Sequence, residues 1–186
     1  MPEPTPDDST AGDPVRNRDL LAVYANDHLA ASVGGIELVR RMLGEHRETD
    51  HEGPLTQLLA ELQEENTSLE ALMRSVGFPV RRYKQVLLWV GEKVSRAKLN
   101  GRLVSRSPLS DLIEFEFLAS AVRGKRSGFE TLREVAEVEP RLDKTELDRL
   151  IRQANRQYEW ISKARRDVAA SVFGGDPTAV EEAADG

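Results

Sequence analysis

Apolar residues recur at three- and four-residue steps through the middle of this 186-residue chain, a period that suits helices and excludes half-buried strands. Leu55, Leu58, Leu59, Leu62, Leu69, Leu72, Met73 and Val76 keep the step in one segment. Leu147, Leu150, Ile151, Ala154, Tyr158, Ile161, Val168 and Val172 keep it in another. No alternating apolar–polar run of strand length competes. Proline and glycine cut the pattern into pieces. Pro54, Pro79 and Pro108 suit first helical turns, where a missing amide hydrogen leaves nothing unpaired, and Pro140 suits a stop. Gly44, Gly77 and the Asn100-Gly101 pair suit left-handed C-terminal positions, and Gly174-Gly175 the end of the last helix. Ser107-Pro108 and Asp143 with Glu146 have capping spacing. Five helices are therefore expected, near 17–44, 54–76, 79–99, 108–138 and 144–173. Helices of this length joined by short links fold back on one another, so the expected fold is all-α, an antiparallel bundle of four to five helices.

The net charge of −6 is unevenly placed. Glu3, Asp7, Asp8 and Asp13 at one end, and Asp176, Glu181, Glu182 and Asp185 at the other, stand without a basic residue among them, so the middle of the chain is slightly basic. Four prolines lie in the first of these segments. Such composition cannot bury enough apolar surface to offset its ordering entropy, so 1–16 and 174–186 are expected to be disordered acidic tails around a bundle domain at 17–173. The absence of cysteine excludes disulfides, thiolate zinc sites, iron–sulfur clusters and a cysteine nucleophile. No apolar run approaches the roughly 18 residues of a membrane span and the N-terminus lacks a basic-then-apolar leader, so a cytoplasmic address is expected. Three histidines and 5% aromatic residues provide little acid–base or stacking chemistry. Nucleotide-binding glycine loops, a Gly-x-Ser-x-Gly elbow and a His-Glu-x-x-His motif are all missing.

Ionisable residues fall on faces that periodicity assigns to the core. Asp27 and His28 share a face with Leu20, Tyr24, Ala31, Leu38 and Met42; Glu65 joins Leu58, Leu62, Leu69 and Leu72, with Glu61 on its flank; Glu114 and Glu116 interrupt Leu112, Ile113, Phe115 and Phe117. A buried carboxylate is costly unless it is paired, hydrogen-bonded or bound to a cation. One explanation is ion pairing with basic residues such as Arg96, Lys98, Arg102 or Arg123, which would fix the register of the helices. The other is a divalent metal held by Asp27, His28, Glu61, Glu65, Glu114 and Glu116, similar to the carboxylate sites of ferritin-like bundles. The two Glu-x-x-His pairs of that pattern are absent, so a di-iron oxidase is not expected.

Two further segments stand out. From Val80 to Arg106 there are eight basic residues against Glu92 alone. On a helical projection Arg81, Arg82, Trp89, Lys93 and Arg96 share one side, opposite Leu87, Val90 and Val94, an arrangement that can contact anionic lipid, nucleic-acid phosphate or an acidic partner. The same residues could instead pack against the acid-rich second helix. Ala30-Ala31-Ser32-Val33-Gly34-Gly35 replaces bulky side chains by small ones, which suits either a pocket beside Asp27 and His28 or close packing and a bend. Gly124-Lys125-Arg126-Ser127-Gly128 has the wrong spacing for a phosphate loop and reads as a weak spot where Gly128 permits a bend.

Gly91-Glu92-Lys93, Lys98-Leu99-Asn100-Gly101-Arg102-Leu103, Ser107-Pro108-Leu109-Ser110 and Glu114-Phe115-Glu116 resemble the centre of a family of uncharacterised bacterial helical proteins, a likeness running from about Asn17 to Phe173. That resemblance implies a compact all-helical domain and no particular activity. The architecture resembles ferritin-like helical bundles. The function expected from the residues is that of a non-catalytic interaction or structural protein with buried charge pairs, its partner a protein or a second copy. The alternatives are a carboxylate-rich metal-binding bundle and an anionic-surface binder.

Overall fold

The computed structural model describes residues 15, 17–81 and 108–174. Among them are four helices and no strand: α1 (Arg18–Glu45), α2 (Glu52–Ser75), α3 (Pro108–Val135) and α4 (Lys144–Phe173). They match the expected first, second, fourth and fifth helices. The two acidic tails lie outside the described residues except at Val15 and Gly174. Val15 is buried.

The helix expected from 79 does not begin there. Pro79, Val80 and Arg81 are non-helical, and 82–99 lie outside the described residues. The cause is Asn26, 1% exposed on α1. Its amide donates to the Pro79 carbonyl at 2.9 Å and its oxygen accepts the Arg81 N–H at 2.7 Å. A buried amide with both ends satisfied by one backbone segment holds that segment against α1.

Helix ends follow local chemistry. Gly77 takes φ +75° after α2, and the amides of Phe78 and Gly77 return to the carbonyls of Met73 at 2.8 Å and Arg74 at 3.0 Å. This is the paired Schellman arrangement, which needs a left-handed residue at Gly77 and brings Phe78 back over Met73 in the core. Asp143 caps α4 by accepting the amides of Thr145 at 2.9 Å and Glu146 at 3.1 Å. Gly44, expected to be left-handed, continues α1 as ordinary helix, and Gly174 has φ −68°.

Contacts along the helices fix their directions. Tyr24 meets Thr131 and Arg41 meets Glu114, so α1 and α3 are antiparallel. Ser32 meets Asn66, and His46 at the end of α1 lies beside His51 at the start of α2, so this pair is antiparallel too. Arg133 meets Asp148 and Phe115 meets Trp160, which makes α3 and α4 antiparallel. It follows that α2 and α3 run parallel, contrary to a simple succession of reversals. The end of α2 and the start of α3 sit at opposite ends of the bundle.

The core divides into two apolar clusters. One contains Ala25, Leu29, Leu69, Met73, Phe129, Leu132 and Leu150; the other contains Ile36, Val39, Leu58, Leu62, Phe115, Leu118 and Ile161. Each fully buried Leu, Ile or Phe contributes roughly 1.5–3 kcal/mol to folding. At the break between the clusters the inward positions are polar: Ser32 on α1, Glu65 on α2 and Lys125 on α3. Gln157 enters from α4.

Candidate functional site

The polar break is a connected network. Lys125 Nζ donates to Glu65 and, at 2.6 Å, to the Gln157 carbonyl oxygen. The Gln157 amide donates to Glu65 at 2.9 Å and to Glu61 at 2.7 Å. Three helices are thereby joined through one glutamine, one lysine and two carboxylates. The Glu65 side chain is 3% exposed and that of Lys125 14%. Burial pushes the Glu65 carboxyl up and the Lys125 ammonium down, while the attraction between them opposes both shifts.

Next to this network lies a cavity of about 220 Å³ between α1, α2 and α3. Leu62, Leu69, Leu118, Val122 and Phe129 supply much of its wall; Glu65, Lys125, Asn66, Ser32 and His28 add polar groups. Ala31 and Gly35 form the α1 side, so the small-residue run does border a pocket. That pocket is beside His28 and not beside Asp27, which is exposed. Asn66 donates to the Ser32 hydroxyl at 2.5 Å. The His28 ring stands edge-on to Tyr24, with centroids 4.6 Å apart, and burial holds its pKa below the ordinary value. A methyl group built on Gly128 would lie 2.7 Å from the ring's Nδ1 and Cε1. Gly128 therefore makes room for the imidazole. The helix α3 runs through Gly128 without a break, from Pro108 to Val135.

The six expected metal ligands are not brought together. Among the described residues no group of three His, Asp or Glu side chains lies close enough to hold an ion. Only His28, Glu61 and Glu65 lie at or beside the polar break. Glu114 pairs with Arg41 at 3.0 Å near the other end of the bundle. Glu116 is 52% exposed and faces Arg165 across 3.8 Å. The buried faces differ from the expected ones on α1 and at the start of α3. On α1 the buried stripe runs Ala25, Leu29, Ile36 and Val39 while Leu20 is exposed; on α3, Leu112, Phe115 and Leu118 turn inward and Leu109, Ile113 and Phe117 outward. The Leu-Ile-Glu-Phe-Glu-Phe-Leu run has apolar residues on both sides, so packing against α1 and α4 decides which side is buried.

Of the five residues expected to meet an anionic surface, Arg81 is exposed, and its N–H is held by Asn26. Arg82, Trp89, Lys93 and Arg96 lie outside the described residues. So do Arg96, Lys98 and Arg102 as expected partners of the inward acids, while Arg123 lies over the Tyr158 ring at 5.4 Å. The cation that does meet Glu65 is Lys125. A sequence signal for it exists: Leu118, Val122, Lys125, Phe129 and Leu132 continue one unbroken four–three step, as do Ala154, Gln157, Ile161 and Ala164.

A second buried carboxylate closes the opposite end. Glu139, 1% exposed, accepts Arg141 Nε at 2.7 Å and Arg18 at 3.3 Å, and these guanidinium groups hold its pKa down to about 2. Arg18 also donates to the Val76 carbonyl and lies over the Phe78 ring, tying α1 to the end of α2. Among the described residues, no helix is long and apolar enough to cross a membrane. Comparison with protein families, with characterised proteins and with solved structures finds no match to this chain, so its functional reading rests on its own geometry.

Proposed function

We propose that this domain is a non-catalytic structural and interaction bundle, ferritin-like in topology, whose inward charges hold its helices in one register. The observation that carries the proposal is the Lys125–Glu65–Gln157–Glu61 network spanning α2, α3 and α4. Its buried carboxylate and ammonium are paired with each other and its glutamine is hydrogen-bonded at both ends, which suits a specificity device better than a reactive centre. The parallel course of α2 and α3 is one that ferritin-like bundles share. Replacing the pair as Glu65→Met with Lys125→Met tests the reading. The expected outcome is a helical protein of similar stability whose methyl NMR spectrum broadens because several registers are populated. A sharp, singly dispersed spectrum would sink the register role.

The interaction half of the reading rests on Leu109, Ile113 and Phe117, exposed at 44%, 37% and 55% on successive turns of α3. A straight stripe of this kind complements itself when two helices cross, so the partner it fits best is a second copy of the chain. Sedimentation is expected to give a dimer that Phe117→Asp converts to a monomer. A monomer at all concentrations before substitution overturns this half and leaves the register role standing.

A further inference from the structure

The cavity beside the charged network has a shape and lining that the register role does not require. A layer meant only to align helices would be packed closed, since a void forfeits contacts on every wall. Here about 220 Å³ remains, more than the roughly 150 Å³ that holds a benzene ring in an apolar protein interior and less than drug-sized pockets of about 300 Å³ and upward. That volume suits one six-membered ring with one or two small substituents. Leu62, Leu69, Leu118 and Phe129 offer the ring an apolar bed.

The polar side of the cavity narrows the chemistry further. Glu65 and Lys125 neutralise each other, so an ionic ligand would find no unspent countercharge there. The Asn66 amide nitrogen donates to the Ser32 hydroxyl, which itself donates to the Leu29 carbonyl. His28 is different: among the described residues its imidazole has ring contacts and no hydrogen-bond partner, and Gly128 is the residue that lets it stand at the wall. A neutral imidazole carries one donor and one acceptor nitrogen, and burial favours the neutral form here.

We infer that the cavity binds an uncharged single-ring molecule bearing one hydroxyl, the phenol class, with the ring against Leu118 and Phe129 and the hydroxyl hydrogen-bonded to His28. Nothing in this depends on the register role, since the ligand needs only the cavity and the imidazole.

The probe is p-cresol, with toluene as its apolar counterpart and benzoate as its anionic one, each titrated into the full chain by NMR and by thermal unfolding. For so few ligand atoms a dissociation constant on the order of 0.1–1 mM is expected. Saturable p-cresol binding should shift the methyl signals of Leu62 and Leu118 and raise the unfolding temperature. His28→Leu should weaken p-cresol at least fivefold and leave toluene within twofold. Gly35→Leu and Gly124→Leu should abolish binding of both by filling the space; a Cβ at either position meets nothing within 4 Å, and leucine favours the helix more than glycine does, so these variants keep the fold. Absence of saturable p-cresol binding overturns the inference. So does equal binding of toluene and p-cresol, which removes the hydroxyl contact, and so does tighter binding of benzoate, which removes the requirement for an uncharged ligand.

Discussion

Lys125→Met removes the cation from the polar break while keeping the length of the side chain and its helix propensity, so the change in stability reports the ion pair. Glu65, 3% exposed on its side chain, then keeps only the Gln157 amide, which Glu61 shares. Removing one partner of a buried pair typically costs about 3–5 kcal/mol, because the remaining charge is left uncompensated. In a domain of this size each kcal/mol moves the midpoint by roughly 2–4 °C, so a fall of about 6–20 °C is expected. The loss depends on pH with a definite sign. Burial already raises the Glu65 carboxyl above its ordinary value of 4.5, and Lys125 is the chief influence lowering it, so the variant raises it further. Between 4.5 and that raised value the folded state keeps a proton that the unfolded state releases, and stability falls as pH rises through the window. Urea unfolding at pH 5 and pH 8 should therefore show a larger deficit at pH 8, with the denaturant slope unchanged. Adding Glu65→Met should recover most of the loss. A deficit below about 1 kcal/mol at pH 8, or the same deficit at both pH values, would refute the claim that Lys125 compensates a buried charge.

Three other outcomes follow from the same geometry. Glu139, held down to about 2 by Arg141 and Arg18, stabilises the fold fully above 4.5 and loses that contribution as pH falls toward 2. Glu139→Gln should cost about 1–3 kcal/mol at pH 7 and flatten the acid limb of the stability profile; an unaltered limb would contradict the assignment. Gly128→Ala should displace the His28 ring and cost stability alone, yet gain about 1 kcal/mol in a His28→Ala background, where only the helix preference for alanine remains. Additive effects of the two substitutions would show that the ring does not occupy that space. Asn26→Ala leaves the Pro79 carbonyl and the Arg81 amide without their side-chain partner, so the Arg81 amide should exchange its hydrogen faster while the α2 amides remain protected. Unchanged exchange at Arg81 would mean that other groups hold the segment.

The sequence by itself determined the four helices seen among the described residues. The four–three step of leucines from Leu55 to Val76, Gly77 at a left-handed helix end and Asp143 at a cap are local signals, each carried by residues within a few positions of one another. It also marked Glu65 as a buried carboxylate needing a partner, because it continues the step of Leu58, Leu62, Leu69 and Leu72. What only the tertiary structure decided was which charges meet and which faces turn inward. Glu65 and Lys125 are 60 residues apart and come together because α2 and α3, both packed antiparallel to α1, run side by side in the same direction. Glu116 could have faced the core on helical phase alone, since Phe115 and Phe117 make both sides of that turn apolar; contact with α1 and α4 buried Phe115 and left Glu116 beside Arg165. The small residues of α1 permitted a pocket or a close crossing. The packing of α1 against α2 and α3, with His28 seated on Gly128, left the pocket open, and periodicity cannot encode that choice because it fixes the phase of a helix but not its distance from a neighbour.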